Sequence, residues 1–364
     1  MNYNWKLSEA NFTKDKGKVF SCFACGGGST MGYKLAGYDV IGSLDIDPKM
    51  MEIYRENHKP KYSFIESITE FKNREDLPSE LFNLDILDGS PPCSSFSMAG
   101  NREKDWGKSK KFREGQAEQV LDTLFFDFID LAERLKPKVV VAENVKGLLL
   151  GNAKKYLAEI YKAFDKAGYH CQHFLLNAAD MGVPQRRERV FFICLRKDLS
   201  EPFMEQVDLF LERPEIKMEF NEPWVKFGDF YKDGSENDRP ISENTEMMRL
   251  WRLRDENDRA LNQASIREDG VDKFFNSRYL AKKKTPPTLI ANNDCAILMD
   301  EPRRPNKEEV CFIGSFPQDY NFLKQKYSYV VGMSVPPLMT AKISEQIFNQ
   351  WLSRIEVLNE VSKS

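Results

Sequence analysis

Long hydrophobic runs are missing from this chain. No stretch approaches the roughly 20 apolar residues that a helix needs to cross a bilayer, so no membrane association is expected. The opening stretch, MNYNWKLSEANFTKDKGK, lacks the apolar core of a secretion signal, and a cytoplasmic protein is the expectation. Cysteine is scarce and scattered, seven in 364 residues, which excludes a disulfide scaffold and makes free thiols the default. Surplus positive charge is absent too. With 53 Lys and Arg against 56 Asp and Glu the formal net charge is −3, so any grip on nucleic acid has to come from a local basic cleft. Histidine is nearly missing, with three in all. His170 and His173, flanking Cys171, form the one cluster that could complete a metal site with the Cys22/Cys25 pair. Three glycines behind Cys25 are unlike a thioredoxin-type redox turn, so Cys22 is read as a buried strand residue and no metal is expected.

What is present is a regular alternation. KVFSCF, YDVIGSLD, LFNLDILDG, KPKVVVAEN and RVFFICLR read as buried strands, separated by helical patterns such as EQVLDTLFFDFIDLAERL and AKKYLAEIYKAFDKAG. Strand, helix, strand with buried-type strands predicts an α/β fold, a doubly wound, mostly parallel sheet with helices on both faces. From about 199 to 327 the chain turns loop-rich and polar, as in KDGSENDRPISENTE, which predicts a second, smaller domain. The closing amphipathic helix is expected to return to the first. The expected division is therefore 1–198 with 328–364, and 199–327.

A glycine cluster, CFACGGGSTMG, closes the first strand, and Asp45 and Asp47 close the second. In an open parallel sheet that combination binds an adenosine: glycine admits the ligand to the backbone, and the carboxylate accepts ribose hydroxyls. The dinucleotide spacing GxGxxG is not there. A nucleoside cofactor such as S-adenosylmethionine fits better than NAD.

The stretch GSPPCSSFS follows the third of these strands. Pro91 and Pro92 lock φ and remove two backbone donors directly before Cys93, which is how a nucleophile would be mounted. A turn whose cysteine is merely free is the plainer reading. Two other strand ends answer it: VVVAENVKG brings Glu143, and QRRERVFFI brings Arg187 and Arg189. A thiol, a carboxylate and guanidinium groups at one sheet edge can converge on a planar heterocycle.

Taken together these stretches resemble the C5-cytosine-specific DNA methyltransferases of prokaryotic or phage type, in motif order over nearly the whole chain. FACGGG looks like the cofactor glycine motif, SLDID the ribose motif, GSPPCSSFS the nucleophile motif, AENV the carboxylate motif and QRRER the arginine motif. TPPTLI, RRPNKEEVCFIGSFPQDY and GMSVPP resemble later motifs, in which Arg303, Glu309, Phe316 and Pro317 keep register. The resemblance implies an S-adenosylmethionine-dependent, Rossmann-like methyltransferase domain with a target-recognition domain at 199–327. The implied reaction is DNA (cytosine-5-)-methylation: Cys93 adds to C6 of a flipped-out cytosine, Glu143 serves N3, and Arg189 with Arg187 holds the base oxygen. S-adenosylhomocysteine would be the product.

Carried over position by position, the cofactor residues are Phe23, Gly27, Gly28, Asp45, Ile68, Pro92, Leu124 and Ser334. The base and DNA contacts are Ser90, Pro91, Asn144, Val145, Gln185, Lys108, Lys110 and Lys111, with Arg113 in the same basic loop. Readout of bases around FFNSRYLAKKK is a further expectation. Duplex DNA is the implied partner, a cognate restriction endonuclease a candidate one, and a monomer the acting form. The chain departs from the family pattern at Cys25, where a glycine is usual, at Ser67, which lacks an expected carboxylate, and at Met333, where asparagine is usual. An RNA methyltransferase of the same architecture and a DNA-binding protein with an impaired cofactor site are the alternatives; the signature CFT of the RNA branch is absent.

Overall fold

The two-residue and 3.6-residue periodicities of the first half translate directly into strands and helices in the computed structural model, which describes residues 3–92, 109–110, 119–120, 123–150, 153–208, 211–231, 239–291 and 295–361. Cys93, Lys108, Lys111 and Arg113 lie outside the described residues.

The first elements alternate as β1 (Lys18–Cys22), α1 (Gly28–Leu35), β2 (Asp39–Asp45), α2 (Pro48–His58), β3 (Tyr62–Ile65), α3 (Ile68–Phe71) and β4 (Ile86–Gly89). A two-stranded pair, β5 (Ser109–Lys110) and β6 (Gln119–Val120), precedes α4 (Leu124–Leu135), β7 (Val139–Val145), α5 (Ala153–Lys166), β8 (Tyr169–Asn177) and β9 (Glu188–Arg196). Seven strands form one sheet in the order β3-β2-β1-β4-β7-β9-β8. The pairs β3/β2, β2/β1, β1/β4 and β4/β7 are parallel, and β9 runs antiparallel to β7. This is the doubly wound, mostly parallel sheet that the alternation predicts.

Side-chain alternation along the strands sorts the two faces. Phe20, Leu87, Val140 and Phe192 point to one side, where they join Phe125 and Phe128 of α4 and Ile160 and Phe164 of α5 in a single apolar cluster. Gly89 permits the close approach of α4, because a Cβ there would stand 2.5 Å from a Phe128 ring carbon. Ser21 and Asp88, one step out of phase, face the other way and meet Tyr33 of α1. Helix α2 starts where it does because Asp47 accepts the Lys49 and Met50 N–H groups and Pro48 takes the first helical position.

The chain divides into two compact units. The sheet unit takes Asn11–Leu176, Glu188–Glu219 and Thr340–Ser364; the second takes Met1–Ala10, Asn177–Arg187 and Phe220–Met339. The seams expected from composition, at 198/199 and 327/328, thus fall inside the sheet unit and the second unit respectively. Hydrogen bonding explains the first difference. Gln172 of β8 donates to the carbonyl of Pro214 at 2.6 Å, Trp351 donates to that of Glu215 at 2.8 Å, and the hairpin β10 (Met204–Asp208) and β11 (Leu211–Pro214) lies between them in sequence.

The second unit has its own core of Ile241, Met248, Leu250, Leu261, Ala264, Tyr279, Ile297 and Met299. Its helix α6 (Lys307–Ile313) opens with a capping box between Asn306 and Glu309, and Arg303 pairs with both Glu309 oxygens at 2.8 Å in the interior. Residues 5–8 bond to this unit: Trp5 donates to the Ser315 carbonyl, and Asp319 accepts the Leu7 and Ser8 N–H groups. No helix among the described residues is long and apolar enough to cross a membrane.

Candidate active site

The turn after β1 is held in an uncommon conformation. Phe23 and Cys25 have φ of +54° and +46°, and Gly27, which caps α1, has +82°. The left-handed region costs an L-residue about 1–2 kcal/mol, so surrounding contacts must hold the two non-glycine positions there. Asp45 supplies one of them: its Oδ2 accepts the Cys25 N–H at 2.8 Å, and its Oδ1 accepts the Asp47 N–H at 2.8 Å. Burial pushes the Asp45 carboxyl up to about 6, against the downward pull of these backbone donors. Phe23, Ile68 and Leu124 meet in the apolar cluster beneath the same edge. Ser67, one residue before Ile68, accepts the Glu70 N–H as the cap of α3. Asp45 thus holds the turn after β1, while Phe23 of that turn packs with Ile68 and Leu124.

Next to this edge, β4 runs into Ser90, Pro91 and Pro92, the last described residues before Cys93. Asn144 holds them: its Nδ2 donates to the Pro91 carbonyl at 3.2 Å, while its Oδ1 accepts the Val145 N–H at 2.8 Å. Glu143, one residue earlier on β7, pairs through Oε1 with Arg189 Nε at 2.9 Å; the side chains are only 13% and 18% exposed. The antiparallel register that sets Val145 opposite Arg189 places the two side chains within reach.

Arg187 and Gln185 belong to the second unit. Arg187 is buried and gives Nη1 to the carbonyls of Leu289 and Gly332, each at 3.1 Å. Gln185 donates to the Ile313 carbonyl and accepts the Leu289 N–H, and Ser334 Oγ donates to the Val330 carbonyl. Within their own unit Arg187 and Gln185 join the arginine motif to TPPTLI, and Arg187 joins it to helix α7 (Tyr327–Met333), whose end Ser334 closes. Met333 itself is 47% exposed. Lys110 sits on β5. Among the described residues no group of His, Cys, Asp and Glu could hold a metal ion, and His173 instead bonds the Tyr161 hydroxyl at 2.5 Å.

One residue escaped the sequence reading. Asp88, in the middle of β4, is buried and accepts Ser21 Oγ at 2.7 Å and the Tyr33 hydroxyl at 3.1 Å. The available signal was a carboxylate inside the otherwise apolar strand ILDG.

The sequence profile of C-5 cytosine-specific DNA methylases matches residues 17–349. The chain belongs to that family. Among curated members it is 36% identical over 183 residues to type II methyltransferase M.FnuDI of Fusobacterium nucleatum, an alignment covering 50% of this chain and 48% of the relative. It is 29% identical over 339 residues to type II methyltransferase M1.HphI of Haemophilus parahaemolyticus, covering 89% and 85%. The chain thus spans about half of the first relative and most of the second. Among solved structures, a prophage-encoded Escherichia coli protein described as a DNA modification methyltransferase superposes with a TM-score of 0.61 at 21% identity, over 92% of this chain and 99% of its own. That likeness establishes the fold, the Rossmann-like sheet of the family's catalytic domain.

Proposed function

We propose that this chain methylates C5 of cytosine in one short duplex DNA sequence, with S-adenosylmethionine as donor, through a flipped-out base and a Cys93 adduct at C6. One observation carries the reading. The Glu143/Arg189 pair and the Asn144 hold on Pro91 gather a carboxylate, a guanidinium and the mount of a thiol at one strand edge.

Cytosine C5 is a poor nucleophile until the ring is activated. The Cys93 thiolate forms a bond to C6, the ring electrons move toward N3, and Glu143 places a proton there. Arg189, pinned through Nε by Glu143 and through Nη1 by the Glu188 carbonyl, would direct Nη2 to the base oxygen. Once C5 carries the methyl group, loss of the C5 proton returns an electron pair that breaks the S–C6 bond and frees Cys93.

The donor's pocket would consist of Phe23, Gly27, Gly28, Asp45, Ile68, Pro92 and Leu124, and the residues fit it. Backbone without side chains is offered at 26–28, and the Asp45 carboxylate has acceptor capacity beyond the backbone N–H groups it already accepts. When bound, S-adenosylmethionine supplies an electrophilic methyl group and leaves as S-adenosylhomocysteine. The module at 199–327, most of it in the second unit, would read the bases, and the basic loop with Lys108, Lys110, Lys111 and Arg113 would contact phosphates. The relatives' designation as type II methyltransferases supports a cognate endonuclease as partner.

Incubation with duplex DNA and methyl-labelled S-adenosylmethionine, followed by bisulfite sequencing, tests this. Label in DNA with cytosines protected in one short context is the expected result. Label only in an RNA acceptor, or none with Cys93→Ser and wild type alike, overturns it.

A further inference from the structure

We propose, resting on the methyl-transfer reading above, that Asp88 is a positioning residue of the reaction: it locks helix α1 and the glycine turn to the strand that carries Cys93.

β1 ends in the turn that would seat the donor, β4 ends in the Pro-Pro-Cys stretch, and the two strands are parallel neighbours with Ser21 paired to Asp88. Backbone pairing alone fixes their height. It does not set the height of α1, whose first turn follows Gly27. Asp88 does so by accepting the Tyr33 hydroxyl from the second turn of α1 on one oxygen and Ser21 Oγ on the other. Ser21 lies two residues before Phe23, and Asp88 five before Cys93. One carboxylate thus ties together both loops whose separation sets the path from methyl donor to base.

An amide or an apolar residue could fill this space, so a carboxylate here is a costly choice. Burial pushes Asp88 up to about 7, the Ser21 and Tyr33 donors pull it back, and the charge of Glu143 on β7 raises it further. Among the described residues the other titratable groups around it are Cys22 on β1, Tyr33 on α1 and Tyr54 on α2, all buried, with the thiol and both phenols raised, chiefly by burial. They stay neutral across the working range. Both hydroxyls donate to the carboxylate, so the charged form is the locked one. A protonated Asp88 has to turn one of its acceptor oxygens into a donor and loosens the tie.

Asp88→Asn and Tyr33→Phe are compared with wild type in single-turnover methyl transfer to duplex DNA, from about pH 5.5 to 9, alongside melting temperature and calorimetric S-adenosylhomocysteine binding. Wild type should lose rate on the acid side with a midpoint near 7. Asp88→Asn should be slower by about tenfold or more at pH 8, lack that midpoint, and melt no lower than wild type. Tyr33→Phe removes one donor to the charged form and should move the midpoint upward, a shift that a merely structural role would not produce; it also keeps the test open should Asp88→Asn fold poorly. A rate for Asp88→Asn within about threefold of wild type, or a midpoint unmoved in both variants, overturns the proposal. Should wild type bind S-adenosylhomocysteine yet transfer no methyl group, the methyl-transfer reading fails by itself. The pH dependence of that binding then decides on Asp88: an inflection lost in Asp88→Asn supports the lock, and no inflection overturns it. Wild type that neither binds nor transfers overturns both.

Discussion

Arg189 Nε stands 2.9 Å from Glu143 Oε1 across the antiparallel junction of β9 and β7, and both side chains are largely withdrawn from water. A pair so placed is held by strands, not loops, and its geometry survives small changes in either partner.

Glu143→Gln tests whether this carboxylate does chemistry or only holds Arg189. The amide keeps the shape and can accept from Arg189, but it cannot place a proton on N3. Methyl transfer should fall by about 10²–10⁴-fold with duplex DNA binding retained. Turnover equal to wild type would assign Glu143 a purely structural part.

Arg187 separates from Arg189 in kind. Its guanidinium is given to the carbonyls of Leu289 and Gly332, and Gly332 approaches Ile290 so closely that a Cβ would stand 2.6 Å from backbone atoms. Arg187→Leu should therefore destabilise the second unit by about 2–4 kcal/mol, since it leaves buried carbonyls unsatisfied. A base-contacting role predicts the opposite pattern, an unchanged denaturant midpoint with a raised KM for DNA. Urea unfolding alongside steady-state kinetics distinguishes them.

The order of strands and helices was legible because each element repeats its own period, with Phe20, Leu87, Val140 and Phe192 on one sheet face and Ser21 and Asp88, one step out of phase, on the other. Glu143 and Arg189 were legible as strand-end residues in motif context. The seam at 198/199 was not, because a drop in periodicity marks where regular structure ends. The hydrogen bonds from Gln172 and Trp351 that keep the β10/β11 segment on the sheet unit span long sequence separations and leave no local pattern. Asp88 was missed for a related reason. Its partners Ser21 and Tyr33 lie 67 and 55 residues away, and neither is unusual where it stands.

Cys25 offers a test of the strained turn. At φ +46° a glycine would sit without the steric cost, and its N–H could still reach Asp45. Cys25→Gly should leave stability unchanged or raise it by up to about 1 kcal/mol, the relief of strain being offset by the greater freedom of the unfolded chain. Cys25→Val, β-branched in the left-handed region, should cost about 2 kcal/mol and weaken S-adenosylhomocysteine binding. Chemical denaturation with calorimetry on both variants checks the pair. Equal stability for glycine and valine would mean that the turn relaxes in solution.

The buried carboxyls also predict how stability follows pH. Asp45 and Asp88 sit above their unfolded value of 3.8, at about 6 and about 7, so the folded protein binds more protons than the unfolded chain between these limits. Their contribution is fully present below about pH 4 and is lost as pH rises through 6 and then 7. The exposed carboxylates Glu80 and Glu246, lowered to about 2 by hydrogen bonds from Lys61 and Arg249 respectively, oppose this only in acid. His58, His170 and His173, held below their usual value of 6.5 chiefly by burial, oppose it up to about pH 6.5, so the wild-type melting temperature should decline from about pH 6.5 to 8, while Asp88→Asn, neutral throughout, should decline less. The two should converge near pH 5, where Asp88 is itself protonated, and the variant should melt higher by several degrees at pH 8. Parallel melting curves offset by a constant amount would mean that Asp88 keeps its charge across the range. A variant more stable yet slower at pH 8 would show stability given up at this position for the alignment of two loops.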